Sequence, residues 1–180
     1  MLDLEAQQSL GRAKNAIQDF LIRKLLLPKV YLDADWNGLH VDVLAIDRTG
    51  VGDVHLVSIV AECPYLVPPV GGHELTMVEN SEEIDRRLQE MQTVSGQYRY
   101  LAVAVPGSRS KSYYAASKLL QASLAQDGVG RVGMFFVDLL EEEPTIKIVI
   151  KAERFRSTSE TLDMADQYTA SHTANWEVRE

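Results

Sequence analysis

The chain has 180 residues, of which 46% are hydrophobic and 24% are charged, and its net charge is −8 at pH 7. This composition is typical of a folded domain and excludes a disordered chain. The acidic balance also disfavours a protein that coats nucleic acid, because neutralising phosphates requires clustered lysine and arginine side chains.

A single cysteine, Cys63, excludes an internal disulfide. No apolar run approaches the roughly 18–20 residues that span a bilayer. The N-terminal residues contain no continuous hydrophobic segment of the secretory kind. We therefore expect a cytoplasmic protein without membrane contact. The four histidines are scattered and lack Cys/His spacing, so the sequence predicts no zinc site.

The first predicted elements are a helix and a meander of three strands. Apolar residues at three- and four-residue spacing predict a helix over 3–26. Pro28 ends it, because proline removes an amide donor and restricts the residue before it. Asn37-Gly38 is a two-residue hairpin signal between the first two strands. The strands are predicted at 29–36, 39–47 and 54–62.

The second half of the chain alternates helices with strands. Prolines and glycines predict a loop over 63–79 with room for one short strand, and Asn80-Ser81-Glu82-Glu83 is typical of a helix start. Lysines that alternate with apolar residues over 145–152 predict a half-exposed edge strand. The remaining predictions are strands at 98–105 and 131–139 and a helix at 111–126.

The residues from 156 onward are more polar than the rest of the chain. We assign 1–155 to a single domain and 156–180 to a C-terminal tail, for which a loosely packed segment and a docked helix both stay open. The order of elements predicts an α/β fold in which helices flank a mixed central sheet.

Four segments carry a resemblance to a known family: VDVLAID at 41–47, VHLVSIVAE at 54–62, YRYLAVAVP at 98–106 and GRVGMFFVDLL at 130–140. In their order and strand character they resemble the core of the PD-(D/E)xK, or restriction-endonuclease-like, superfamily. The resemblance covers roughly residues 10–155. It implies a core with the order α-β-β-β-α-β-α-β-β.

The resemblance also implies a site for Mg²⁺ or Mn²⁺. In this superfamily an aspartate on the second strand and an acidic residue on the third hold the metal, and a lysine two residues after that acid stabilises developing charge. Asp42 matches the aspartate. Ser58 and Val60 stand where the acid and the lysine are expected, and neither side chain can supply the missing charge.

We therefore expect a domain that has lost hydrolytic competence and acts as a binding or scaffold module, without a cofactor. A protein partner or a second copy of the chain is better supported than nucleic acid. An alternative is a divergent Mg²⁺- or Mn²⁺-dependent nuclease that uses Asp42 and Glu62, which lies two residues beyond Val60 on the same strand face. A third interpretation is a small-ligand-binding α/β domain, with Arg109 and Lys111 holding an anion at the start of a predicted helix.

Overall fold

The computed structural model describes residues 4–47, 53–60, 65–67, 76–78, 81–105, 132–139, 141–156 and 158–177. The helices in these segments are α1 (Leu4–Arg23), α2 (Ser81–Thr93) and α3 (Ser159–Ser171). The strands are β1 (Lys29–Trp36), β2 (Leu39–Ile46), β3 (Val54–Val60), β4 (Tyr65–Val67), β5 (Thr76–Val78), β6 (Tyr98–Val105), β7 (Gly133–Asp138), β8 (Thr145–Ile150) and β9 (Trp176–Glu177).

Seven strands form one mixed sheet in the order β8-β7-β6-β3-β2-β1-β9. β1, β2 and β3 form an antiparallel meander, whereas β3, β6 and β7 run parallel to one another. β8 and β9 join antiparallel at the two edges, and β4 pairs only with β5 among the described strands. β4 and β5 lie in the segment that was predicted to be a loop with one short strand, because strands of three residues carry too little alternation to be recognised. The predicted α/β class, with a mixed sheet flanked by helices, is confirmed, and β8 is the edge strand that its lysines indicated.

Side-chain alternation divides the core between the two faces of the sheet. On β3, Val57 and Ile59 belong to a cluster that contains the buried face of α1, whereas Val54 and Leu56 belong to a cluster shared with α2 and α3. Because β3 lies at the centre of the sheet, all of its residues are buried. The α1 residues in the first cluster are Ala13, Ile17 and Leu21. The second cluster includes Leu88 and Met91 of α2 and Ala165 of α3.

The turn between β1 and β2 has the backbone that its sequence predicts. Asn37 has φ 51° and Gly38 has φ 78°, both in the left-handed region that a tight two-residue hairpin requires. The strands pair directly beside the turn, with Trp36 opposite Leu39. This turn sets the register that brings Asp33 opposite Asp42 farther along the hairpin.

The C-terminal residues pack against the sheet. Thr158 caps α3, because its hydroxyl accepts a hydrogen bond from the Thr161 N–H at 3.1 Å. Tyr168 of α3 meets the rings of Tyr31 and Trp36 edge-on, at centroid distances of 5.1 and 5.7 Å. β9 then extends the sheet beyond β1. The tail beyond residue 156 therefore contains a docked helix, which is one of the two alternatives that the sequence left open, and a short edge strand that the sequence did not predict.

Some predicted elements lie outside the described residues, namely the helix at 111–126 and the helix-capping Asn80. Within the described part of the chain, no helix combines the length and apolar character needed to cross a membrane.

Candidate functional site

Asp42 lies where β2 and β3 separate. The paired register of these strands runs from Ile46 opposite Val54 to Val43 opposite Val57, so the next position would place Asp42 opposite Ser58. Instead, the Asp42 side chain turns toward β3, and its Oδ2 accepts a hydrogen bond from the Ile59 N–H at 2.7 Å. The carboxylate oxygen thus accepts a hydrogen bond that a backbone carbonyl oxygen would accept in a regular strand pair.

Two cationic side chains from opposite layers flank this carboxylate. Lys14 of α1 places its Nζ 3.6 Å from Oδ1, and Arg87 of α2 places its Nη1 3.9 Å from Oδ2. Asp42 itself is only 4% exposed. A buried carboxylate is costly unless it is paired and hydrogen-bonded, and here the chain supplies both forms of compensation.

Ser58 and Val60 have structural environments of different kinds. Ser58 is fully buried, and its Oγ accepts a hydrogen bond from Arg87 Nη1 at 3.0 Å. Val60 is 4% exposed and packs in a small apolar cluster with Leu101 and Met134. The serine therefore positions the arginine that faces Asp42, whereas the valine belongs to the core.

A further carboxylate, Asp33 of β1, completes the group around Lys14. Leu32 and Ala34 pair with Val43 and Val41, which places Asp33 opposite Asp42. The Lys14 ammonium donates a hydrogen bond to the Asp33 carboxylate. Lys14 thus lies between two carboxylates that face each other across the hairpin.

The same residue pair marks a change of face in both strands. Val30 and Leu32 contact the α1 cluster, but Ala34 and Trp36, farther along β1, belong to the cluster of α2 and α3. Asp33 has φ 51°, outside the extended region, and so interrupts the alternation. This switch allows Asp42 to meet cations from both layers.

His40 lies beside this group. Its Nε2 is 3.6 Å from Asp33 Oδ1, and its Nδ1 is 3.6 Å from Asp35 Oδ1. One ligand atom each from Asp33, His40 and Asp42 lies within 4.8 Å of the others. Nothing local in the sequence points to Asp33 or Lys14, since their proximity depends on hairpin register and helix packing. The His40-x-Asp42 spacing is the one local signal.

This arrangement does not fit a divalent cation, although two carboxylates and an imidazole are suitable ligand types. The Lys14 ammonium already contacts both carboxylates, and Arg87 lies near the other oxygen of Asp42. A metal ion would meet two positive charges at short range. Ser58 and Val60, on the neighbouring strand β3, add no charged ligand to the group.

Three predicted site residues lie outside the described residues: Glu62, Arg109 and Lys111. The carboxylate pair of Asp42 with Glu62 and the anion site at 106–111 therefore stay predictions.

The comparisons with known proteins establish a similar fold and no function. No protein family matches the sequence, and no curated protein matches it. Among solved structures, the chain is similar to a protein of unknown function from Silicibacter pomeroyi, with a TM-score of 0.50 and 16% sequence identity. The match covers 95% of this chain and 88% of that one. At this identity the similarity shows a shared fold over nearly the whole chain.

A second buried polar group lies near the start of β3. His55 is 7% exposed, and its ring stacks on Tyr98 at a centroid distance of 4.6 Å. Its Nδ1 is buried and has no hydrogen-bond partner within the described part of the chain. Burial lowers the pKa of His55 to about 4, even though Asp53 and Asp47 act to raise it. His55 is therefore neutral at pH 7, in keeping with a packing role.

A shallow cavity of about 210 Å³ lies between the β1–β2 turn and α3. Its lining residues are Trp36, Asn37, Met164, Gln167, Tyr168 and Ser171. Typical ligand pockets have volumes of about 300–1,000 Å³, and none of the charged residues around Asp42 lines this one. It therefore gives no support to a small-molecule site.

Proposed function

We propose that this chain is a restriction-endonuclease-like domain without hydrolytic activity that acts as a binding or scaffold module. The observation that carries the proposal is the environment of Asp42. Its Oδ2 accepts the Ile59 N–H and faces Arg87, and its Oδ1 faces Lys14. The aspartate that would bind a metal in a nuclease here compensates charges of the protein itself.

The sheet topology supports the restriction-endonuclease-like assignment. An N-terminal helix leads into a three-stranded meander, and a helix then connects β3 to the parallel strand β6. Asp42 and Ser58 lie toward the carboxyl end of β3, the end at which open α/β sheets commonly bind their ligands. This position favours a binding role, which does not require catalytic activity.

The composition and surface of the chain favour protein as the partner. A net charge of −8 opposes contact with phosphates. Leu25 and Leu26, directly after α1, are adjacent exposed apolar residues, and Leu26 is 77% exposed. We propose that they contribute to a protein contact, and a second copy of the chain is the first partner to test.

A cleavage assay tests the absence of activity. Purified wild-type protein is incubated with plasmid, single-stranded DNA and RNA in the presence of Mg²⁺ or Mn²⁺. We expect no cleavage above a chelator control and no difference from Asp42→Ala. Mn²⁺-dependent cleavage that Asp42→Ala abolishes would contradict the proposal and support the alternative nuclease with Asp42 and Glu62.

Light scattering tests the scaffold role. We expect a mass above that of the 20.1 kDa chain at high concentration, and a shift toward the monomer in Leu26→Asp. Thr173→Asp serves as the control, because Thr173 is also exposed but follows α3 instead of α1. A single-chain mass at every concentration would contradict self-association.

A further inference from the structure

We infer that the Lys14 ammonium is the resident cation of the cluster formed by Asp33, His40 and Asp42, and that it holds the position a divalent metal would otherwise take. This inference rests on the proposed function and deepens it, because it names the group that replaces the metal.

The packing of α1 determines where the ammonium lies. Ala13 and Ile17, on either side of Lys14 in the helix, are fully buried against the sheet. The Lys14 side chain is only 14% exposed, so its aliphatic part is covered while its Nζ reaches the two aspartates. Lysine commonly buries its stem in this way and keeps its charge at a polar site.

The three surrounding side chains have the spacing of a metal site. Ligand atoms about 2.2 Å from one metal lie at most about 4.4 Å apart. The atoms of Asp33, His40 and Asp42 lie within 4.8 Å of one another, so movements of a few tenths of an ångström would bring them into range. Two carboxylates and an imidazole suit Mn²⁺, which accepts oxygen ligands and tolerates nitrogen.

Charge explains why Lys14 excludes the metal. The ammonium donates to Asp33 and lies 3.6 Å from Asp42 Oδ1, which is the space between the two carboxylates. A metal ion there would displace it or be repelled by it. Without Lys14, the carboxylates of Asp33 and Asp42 would face each other across the hairpin, and among the arginines and lysines that the structure describes, Arg87 would remain 3.9 Å from the far oxygen of Asp42.

A Mn²⁺ titration tests the inference. Calorimetry and the electron paramagnetic resonance signal of free Mn²⁺ measure how tightly the ion binds. We expect Lys14→Met to bind Mn²⁺ at least about tenfold more tightly than wild type, a change of about 1.4 kcal/mol. Mn²⁺ should also raise the unfolding temperature of Lys14→Met and leave that of wild type unchanged. Adding Asp33→Asn to Lys14→Met should abolish the gain in Mn²⁺ affinity.

Two further variants serve as controls. Lys29→Met removes another partly buried lysine that is paired with an acid, Glu177, and should not increase Mn²⁺ binding. Lys14→Arg keeps the positive charge in the cluster and should also bind no more Mn²⁺ than wild type. If circular dichroism shows that Lys14→Met does not fold, Lys14→Gln carries the same test, because its amide hydrogen-bonds the aspartates without a charge.

The outcomes separate this inference from the proposed function. A folded Lys14→Met or Lys14→Gln that binds Mn²⁺ no better than Lys29→Met overturns the inference and leaves the proposed function standing. Wild-type protein that binds Mn²⁺ as tightly as Lys14→Met also overturns it. Metal-dependent cleavage by wild type overturns the proposed function.

Discussion

The carboxylate of Asp42 accepts a hydrogen bond from the backbone N–H of Ile59 at 2.7 Å, at the point where their two strands cease to pair. Without this contact, the separation of β2 from β3 would leave a buried amide without an acceptor. The same carboxylate also lies near the cations of Lys14 and Arg87, so one side chain contacts a backbone group and two charged side chains.

Substitution of Asp42 should separate these two roles. Asp42→Ala removes the acceptor and the charge, and we expect it to lower the free energy of unfolding by about 3 kcal/mol, because the buried Ile59 N–H loses its acceptor and Lys14 and Arg87 each lose one ionic contact. Asp42→Asn keeps an acceptor oxygen and should cost less, about 1–2 kcal/mol. Urea denaturation at pH 7 measures both. Equal stability of Asp42→Ala and wild type would contradict this account.

Acid should destabilise the protein through His55. Its pKa is about 4 in the folded state and 6.5 in the unfolded chain, so between these values the unfolded state binds the additional proton. The free energy of unfolding is therefore not reduced by His55 above pH 6.5. It decreases as the pH falls toward 4, by up to about 3 kcal/mol.

His55→Phe should remove this component of the acid sensitivity. Phenylalanine keeps an aromatic ring beside Tyr98 and has no unpartnered nitrogen, so its stability at pH 7 should equal or exceed that of wild type. Denaturation at pH 4.5 and 7 measures the difference, with the exposed His172→Gln as the control. A wild-type difference between the two pH values that persists in His55→Phe would rule out His55 as its source.

Two glycine-to-alanine substitutions should have opposite effects. A Cβ at Gly133 would lie 2.7 Å from Tyr100 Cδ1 and 2.9 Å from the Ala152 backbone nitrogen, so we expect Gly133→Ala to lower the stability by about 1–3 kcal/mol. A Cβ at Gly11 in α1 meets no atom within 4 Å, and Gly11→Ala should add about 0.5–1 kcal/mol. Thermal unfolding of Gly133→Ala, Gly11→Ala and wild type provides the test. A neutral Gly133→Ala would show that β7 can move away from Ala152.

Leu26 should be replaceable by asparagine with a gain in stability. Leu26 has φ 55°, a conformation that costs a leucine roughly 1–2 kcal/mol and that asparagine adopts more easily. Because Leu26 is exposed, Leu26→Asn loses little burial, and we expect a gain of up to about 1 kcal/mol. Leu25→Asn, at an ordinary φ, should show no gain. Chemical denaturation measures both, and light scattering shows whether the more stable Leu26→Asn also associates less.

Local signals were enough to predict most of the sheet. Asn37-Gly38 and the alternation on either side predicted the β1–β2 hairpin, since turn chemistry and side-chain period are properties of neighbouring residues. β9 was missed because a strand of two residues carries no periodic pattern. β7 begins and ends inside its predicted range of 131–139, because the apolar residues Val132 and Leu139 continue the pattern past the last backbone pairs.

The candidate site was predictable only in part. Asp42 and Ser58 were found because the resemblance assigns a role to their strand positions. Lys14 and Arg87 come from helices that pack on opposite sides of the sheet, and no pattern near either residue indicates a contact with Asp42. Such long-range neighbours follow from the tertiary fold, which the sequence pattern predicts only in outline.

The change of face at Asp33 and Asp42 has a consequence for reading related sequences. The base of the hairpin contributes to both layers, with Val30 and Val43 in the α1 cluster and Tyr31 and Leu44 in the cluster of α2 and α3, whereas its tip contributes only to the latter. The packing and hydrogen-bonding roles of Asp42 therefore favour an aspartate at position 42 whether or not the chain has any metal chemistry. An aspartate at this position is therefore, by itself, a poor diagnostic of nuclease activity.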